Sequence, residues 1–157
     1  MTEDATFEDG AERPLRLKAE DADDLQVLSA FAQDAVLPGS EISWNSGRRR
    51  FGMLLNRFRW EDTDRAARGG RPVERVQAVL AVDDVLRVQS TGVTRDRDTI
   101  LSVLSISFQP GDDGTGRIEV TLAGDGAIGL DVECLNVTLK DVTRPYLAPS
   151  RRTPSHD

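Results

Sequence analysis

Cysteine, histidine and tyrosine each occur once in this 157-residue chain, and tryptophan twice. A single cysteine, Cys134, excludes an intramolecular disulfide and suits a reducing compartment. The one histidine, His156, lies next to the C-terminus in a polar stretch. A Ser-His-Asp triad or a Cys-His dyad from this chain is therefore disfavoured. A Cys/His zinc site lacks its ligands. Apolar runs stay short, so no membrane span is expected. The N-terminus carries Glu3, Asp4, Glu8, Asp9 and Glu12 without an apolar core, unlike a secretory signal or transit peptide. Gly111 to Gly116 lacks the lysine of a phosphate-binding loop. The expectation is a cytoplasmic protein with no metal and no cofactor.

What is present is charge. Charged residues make up 30% of the chain and the net charge is −7, which disfavours general nucleic-acid binding. The distribution is uneven. Residues 1–34 hold ten acids and three bases, while residues 48–75 hold nine bases and four acids. Within the basic segment, the fourteen residues from Arg48 to Glu61 contain five arginines and three of the eight aromatics. Arginine beside aromatics on an extended segment suits contact with carboxylates, phosphates or stacked rings. It equally suits a packed barrel strand with a solvated face.

The length fits one domain with a core of its own. Residues 1–13 read as an acidic flexible arm, 14–142 as a single domain and 143–157 as a flexible C-terminal tail. Pro14 to Lys18 alternates like a short strand. A helix then opens with Asp21 as N-cap, buries Leu25, Leu28, Phe31, Ala32 and Ala35, and ends at Pro38-Gly39. Strands follow: Glu41–Asn45 and Arg50–Trp60 as a hairpin, then Val76–Val82, a turn at Asp83-Asp84, and Val85–Val93 returning. Residues 61–72 read as an exposed loop. Ile100–Phe108 places Leu104, Ile106 and Phe108 on one face. Ile118–Leu122 and a long strand from Ile128 to Leu139 complete the set.

Two strands change phase. Phe51, Met53 and Leu55 share one parity, but Phe58 and Trp60 fall on the other; a bulge near Asn56, or burial on both faces, reconciles them. The last strand flips at Cys134-Leu135, which implies a bulge or bend. One N-terminal helix with seven or eight antiparallel strands in a meander gives an α+β fold, curled or partly closed into a barrel.

The candidate binding residues are Arg50, Asn56, Arg57, Arg59, Trp60 and Glu61. Arg57 and Arg59 would form a fork for an anion or a partner's acids, with Trp60 as anchor. The competing reading pairs them with Asp131, Glu133 or helix acids. Asn56, at the phase change, suits a buried amide bridging backbone groups. Asp131 and Glu133 share the non-core parity of the last strand and are the best carboxylate pair for acid–base work. Cys134, on the apolar parity, reads as a buried, inert thiol.

Leu15 to Ala22, Phe31 to Ala35, Arg49-Arg50-Phe51 with Leu54 to Glu61, and Gly126-Ala127-Ile128 with Val132-Glu133-Cys134 together resemble a bacterial family of uncharacterised proteins, domain of unknown function 2948. The resemblance covers residues 14–145. It implies a small cytoplasmic bacterial protein with no assigned activity or catalytic residues.

Three functional readings stay open. The first is a non-catalytic binding or accessory module recognising another protein through the Arg/aromatic strand. The second is binding of a small anionic ligand or RNA by the same arginines, with RNA the weaker half. The third is a carboxylate/arginine enzyme acting on a phosphorylated metabolite, and the missing nucleophile and base weigh against it. Another protein is the expected partner. A homodimer is compatible with the sequence, whereas a membrane is not.

Overall fold

The structure is a computed structural model that describes residues 14–70 and 72–143. The acidic arm and the residues after 143 lie outside the described part. Ten strands are joined in one antiparallel sheet. Strand β1 (Arg16–Ala19) leads to helix α1 (Ala22–Ala32). The Asp21 carboxylate caps α1 by accepting from the Asp24 amide at 2.8 Å, and Asp23 and Asp24 face the positive end of its dipole. Leu25, Leu28 and Ala32 form the buried stripe. The helix ends earlier than its sequence pattern suggests. Asp34 takes a left-handed turn (φ 64°), and Val36–Pro38 becomes β2 rather than a last helical turn.

Strands β3 (Ile42–Asn45) and β4 (Arg50–Phe58) form the expected hairpin. They are followed by a helical segment and by β5 (Arg75–Val82), β6 (Val85–Thr91), β7 (Ile100–Pro110), β8 (Gly116–Leu122), β9 (Ala127–Val132) and β10 (Val137–Asp141). The strand order is β1-β10-β5-β4-β2-β7-β8-β9-β6, with β3 on β4. The sheet curls without closing, and β1 and β6 are its end strands.

The α+β class stands, but the path is richer than a meander. Only β3-β4-β5 and β7-β8-β9 run as sequential neighbours. The turn at Asp83-Asp84 does not fold β6 back onto β5. It carries the chain from one half of the sheet to the other, where β6 pairs β9. The phase flip at Cys134-Leu135 marks a second crossing. The long last strand is really two, β9 in one half and β10 in the other, and with β2 this raises the count from seven or eight to ten. The crossings lie side by side: Asp83 N donates to Asn136 O at 3.0 Å, and Glu133 N to Asp84 O at 2.9 Å.

Between the halves sits one main core. Phe51, Met53, Leu55, Leu80 and Val82 come from one half, and Ile118, Val120, Ile128 and Leu130 from the other, with Leu25 and Leu28 of α1 against them. In β7 a bulge between Val103 and Ser105 resets the alternation. Leu101, Val103 and Ile106 therefore point inward, and Leu104 is left exposed, contrary to its expected place.

The loop expected at 61–72 is largely helical over residues 61–68. A 3-10 turn at Trp60–Asp62 runs into a short helix α2 (Thr63–Arg68), and Ala66 and Val73 bury Phe58 from the outer side of β4. Burial on both faces thus accounts for the phase change in β4. Its register with β5 is unbroken from Phe51–Val82 to Phe58–Arg75, so no bulge intervenes.

Candidate functional site

Strand β4 has two faces with different chemistry. Phe51, Met53, Leu55 and Arg57 occupy the inner parity and are all buried. Arg57 is fully enclosed, the largest side chain among the fully buried ones. A guanidinium there must have all five N–H groups satisfied, and all five are. Nε and Nη2 form a fork on Asp141, both at 2.9 Å. Nη1 and Nη2 form a second fork on Glu61, at 2.9 and 2.7 Å. Nη1 also donates to Phe58 O at 3.0 Å. Asp141 Oδ2 accepts in addition from the Leu15 amide at 2.8 Å, and Asp141 N donates to Leu15 O. The cluster ties β4, β10, the 3-10 turn and the start of β1 together at one end of the core.

Burial would favour neutral forms here, and the ion pairing opposes it. Burial alone would lower the Arg57 pKa, but its bonds to Glu61 and Asp141 raise it above the usual arginine value. Burial alone would raise that of Glu61, but the bonds and charge of Arg57, helped by Arg59, hold it below the usual carboxylate range. Both shifts favour the ionised forms of Arg57 and Glu61 at neutral pH.

Arg59 is nearly buried in a neighbouring cluster. Its Nη1 lies 3.0 Å from Glu74 Oε1 and 3.5 Å from Asp62 Oδ2, and its backbone N–H bonds Glu74 O. Trp60 is half-buried and donates Nε1–H to Gln33 O at 2.9 Å, which fastens the turn to the end of α1. Its ring meets Phe58 at 5.4 Å, and the Arg75 guanidinium covers the other ring at 4.3 Å.

The structure therefore brings Arg57, Arg59, Trp60 and Glu61 together as an internal scaffold. Arg57 has no N–H left to offer an anion. The partners foreseen for the two arginines also differ: Asp141, Glu61, Glu74 and Asp62 hold them, not Asp131, Glu133 or helix acids. Arg50 stands apart at the far end of β4, exposed, with Nε 2.7 Å from Asp83 Oδ1. That contact raises its pKa further.

Asn56 sits on the outer face with Gly52 and Leu54, all half-buried. It is not a bridge between bulged backbone groups, since there is no bulge. Its Oδ1 is buried and has no hydrogen-bond partner. Beside it, Leu54, Gln77, Val36, Pro38, Glu41 and Ile100 line a groove of about 280 Å³, and Ile100 is among the most exposed large apolar side chains.

The carboxylates proposed for acid–base work do not converge as a pair. Asp131 accepts from Arg117 and Arg87, both at 2.9 Å, on the outer side of the second half. Glu133 is past the end of β9 and binds Arg49 at 2.9 Å. Cys134 is exposed rather than buried, and its thiol lies 3.2 Å from Asp84 Oδ2. That hydrogen bond, with the charges of Asp84, Glu133 and Glu20, raises its pKa and damps its nucleophilicity. Among the described residues no group of three His, Cys, Asp or Glu is placed to hold a metal, and no helix is long and apolar enough to cross a membrane.

Asp141 is not among the residues expected at the site, although the sequence carries a signal for it. It falls on the parity of Val137 and Leu139, as Arg57 falls on that of Met53 and Leu55. Opposite charges on the core parity of two strands mark a buried pair.

A family model described as protein of unknown function (DUF2948) matches residues 15–156. No curated protein and no solved structure matches the chain.

Proposed function

The chain belongs to the DUF2948 family of proteins of unknown function, and from that premise we propose a non-catalytic binding or accessory module that recognises another protein through the outer face of β4. The contact is moved from Arg57 and Arg59 to the opposite side of the same strand. The observation that carries this reading is the open groove at Leu54 and Asn56. It combines half-exposed apolar walls with a buried carboxamide oxygen that has no partner. Leaving such an oxygen unpaired costs about 1–3 kcal/mol, which a turn of the Asn56 side chain toward a bound backbone amide would recover. Arg57, next to Asn56 in β4, is held on the inner side of the strand by Asp141 and Glu61. The scaffold behind β4 thus serves the face in front of it.

The test is affinity capture with mass spectrometry, comparing wild type, Leu54→Glu and Arg50→Glu. A partner lost with Leu54→Glu and kept with Arg50→Glu places the contact in the groove. Equal recovery with all three removes this face from the proposal. Light scattering on the same samples identifies a second copy of the chain as the occupant if the mass doubles and Leu54→Glu abolishes the doubling.

A further inference from the structure

The only two lysines of the chain, Lys18 and Lys140, meet Arg16 on one outer face. In the β1–β10 ladder Arg16 is directly opposite Lys140, and Lys18 is opposite Thr138, diagonal to Lys140. All three cations are exposed. Like charges directly opposite in a sheet destabilise it. A chain with 27 acidic residues has ample means to neutralise them. Yet among the described residues only Lys18 has an acidic partner, Glu20 at 3.4 Å. The one carboxylate that ends this strand, Asp141, points inward and is taken by Arg57 and the Leu15 amide. The three cations line a cleft of about 320 Å³ together with Leu17, Thr138 and Leu139.

We propose that this corner of the sheet receives an acidic, extended segment of a partner protein, laid alongside β1 with carboxylates at alternate residues. The inference rests on the protein-recognition reading above and specifies the partner's chemistry. Two features select an extended acidic segment. Arg16 and Lys18 are two residues apart on one strand, so their spacing, about 6.8 Å, is the repeat between like-facing residues of any extended chain. Strand β1 also ends the sheet, with no strand on its other side among the described residues, and sheet ends accept added strands. Carboxylates at positions i and i+2 of such a segment would fall beside Arg16 and Lys18, with Lys140 behind them. The favourable charge match would also offset the repulsion the free sheet retains.

The experiment is an amide-resolved NMR titration of the full chain with the blocked peptide Val-Glu-Val-Glu-Val-Thr, beside its Gln-for-Glu analogue and inorganic phosphate. Saturable shifts confined to β1 and β10 are expected. Affinity should fall at least about tenfold in the Gln analogue and in an Arg16→Glu/Lys140→Glu variant, and it should weaken with salt. A cooperative melt of the variant shows that it is folded. Equal shifts with the Gln analogue, or no saturable shift, would overturn the proposal. So would shifts reproduced by phosphate alone. A response that appears only after Glu3, Asp4, Glu8, Asp9 and Glu12 are neutralised would make this chain's own acids the occupant, and the proposal would again fall. The two readings separate cleanly: a captured partner lost with Leu54→Glu but kept by Arg16→Glu/Lys140→Glu sustains the module and refutes the acidic segment.

Discussion

Two arginine–carboxylate clusters in this molecule are mirror images in charge and opposite in setting. At one end of the core, a single arginine, Arg57, sits between two carboxylates, and its side chain is 0% exposed. On the outer side of the second half, a single carboxylate, Asp131, sits between two arginines, and Arg87 is 63% exposed. The contact distances are nearly the same. Geometry alone would rank the two as equals, whereas desolvation separates them. Losing Arg57 leaves two carboxylates without their cation, Asp141 among them almost wholly away from water. In the surface cluster, water replaces whichever partner is removed.

The comparison can be broken most directly at Arg57. Arg57→Met should cost about 3–5 kcal/mol in urea unfolding, since it strands Asp141 and Glu61. Arg57→Lys should recover little, because a point charge cannot serve two forks. Adding Asp141→Asn to Arg57→Met should return part of the loss, and a double-mutant cycle measures that coupling. If the double variant is as unstable as the sum of the singles, the cluster does not act as a unit.

Glu61 sharpens the contrast through pH. Its folded pKa lies below the ordinary value of about 4.3. Between those two values the unfolded chain binds more protons, so stability rises with pH there. The contribution is complete above about pH 4.3 and is lost as pH falls through the folded value. Glu61→Gln should flatten acid unfolding in that window and leave the slope above it unchanged. A parallel shift of the whole curve would instead mean a packing effect.

The surface cluster should respond weakly. Arg87→Ala or Asp131→Asn should change stability by about 0–1 kcal/mol, and less at high salt. The smallest effect is expected at Gly129. There the Arg117 guanidinium lies where a Cβ would be, on its way to Asp131. Gly129→Ala needs only the flexible end of Arg117 to move, so a shift within about 0.5 kcal/mol is expected.

The same contrast explains what could be read from the sequence. Alternation fixed most strands, because one face of each meets the core. The capped start of α1 was equally plain in Asp21 and its acidic first turn. The end of α1 was not, since Ala35 kept helical spacing while the chain had already turned at Asp34. Segment 61–72 looked like a loop because its one buried apolar residue among those described is Ala66, which joins Val73 just beyond it around Phe58. The site was legible as a location but not as chemistry. Segment 48–61 does hold the scaffold, yet its counter-charge Asp141 is 84 residues away from Arg57, beyond any local pattern. Periodicity reports which way a residue faces, and pairing across a sheet needs the register.

That separation has a consequence for synthesis. Strand β10 lies between β1 and β5, so the first half of the sheet has a gap until residues 137–141 arrive. A nascent chain emerging from the ribosome can close β7, β8 and β9 by local turns, but it must carry Arg57 without Asp141 until then. Late, distant pairing of this kind slows folding. Arrested chains of increasing length should gain protease resistance in the β7–β9 meander first. The β4–β5 half should follow only when Asp141 has left the exit tunnel, so translation itself would set the order in which the two halves mature.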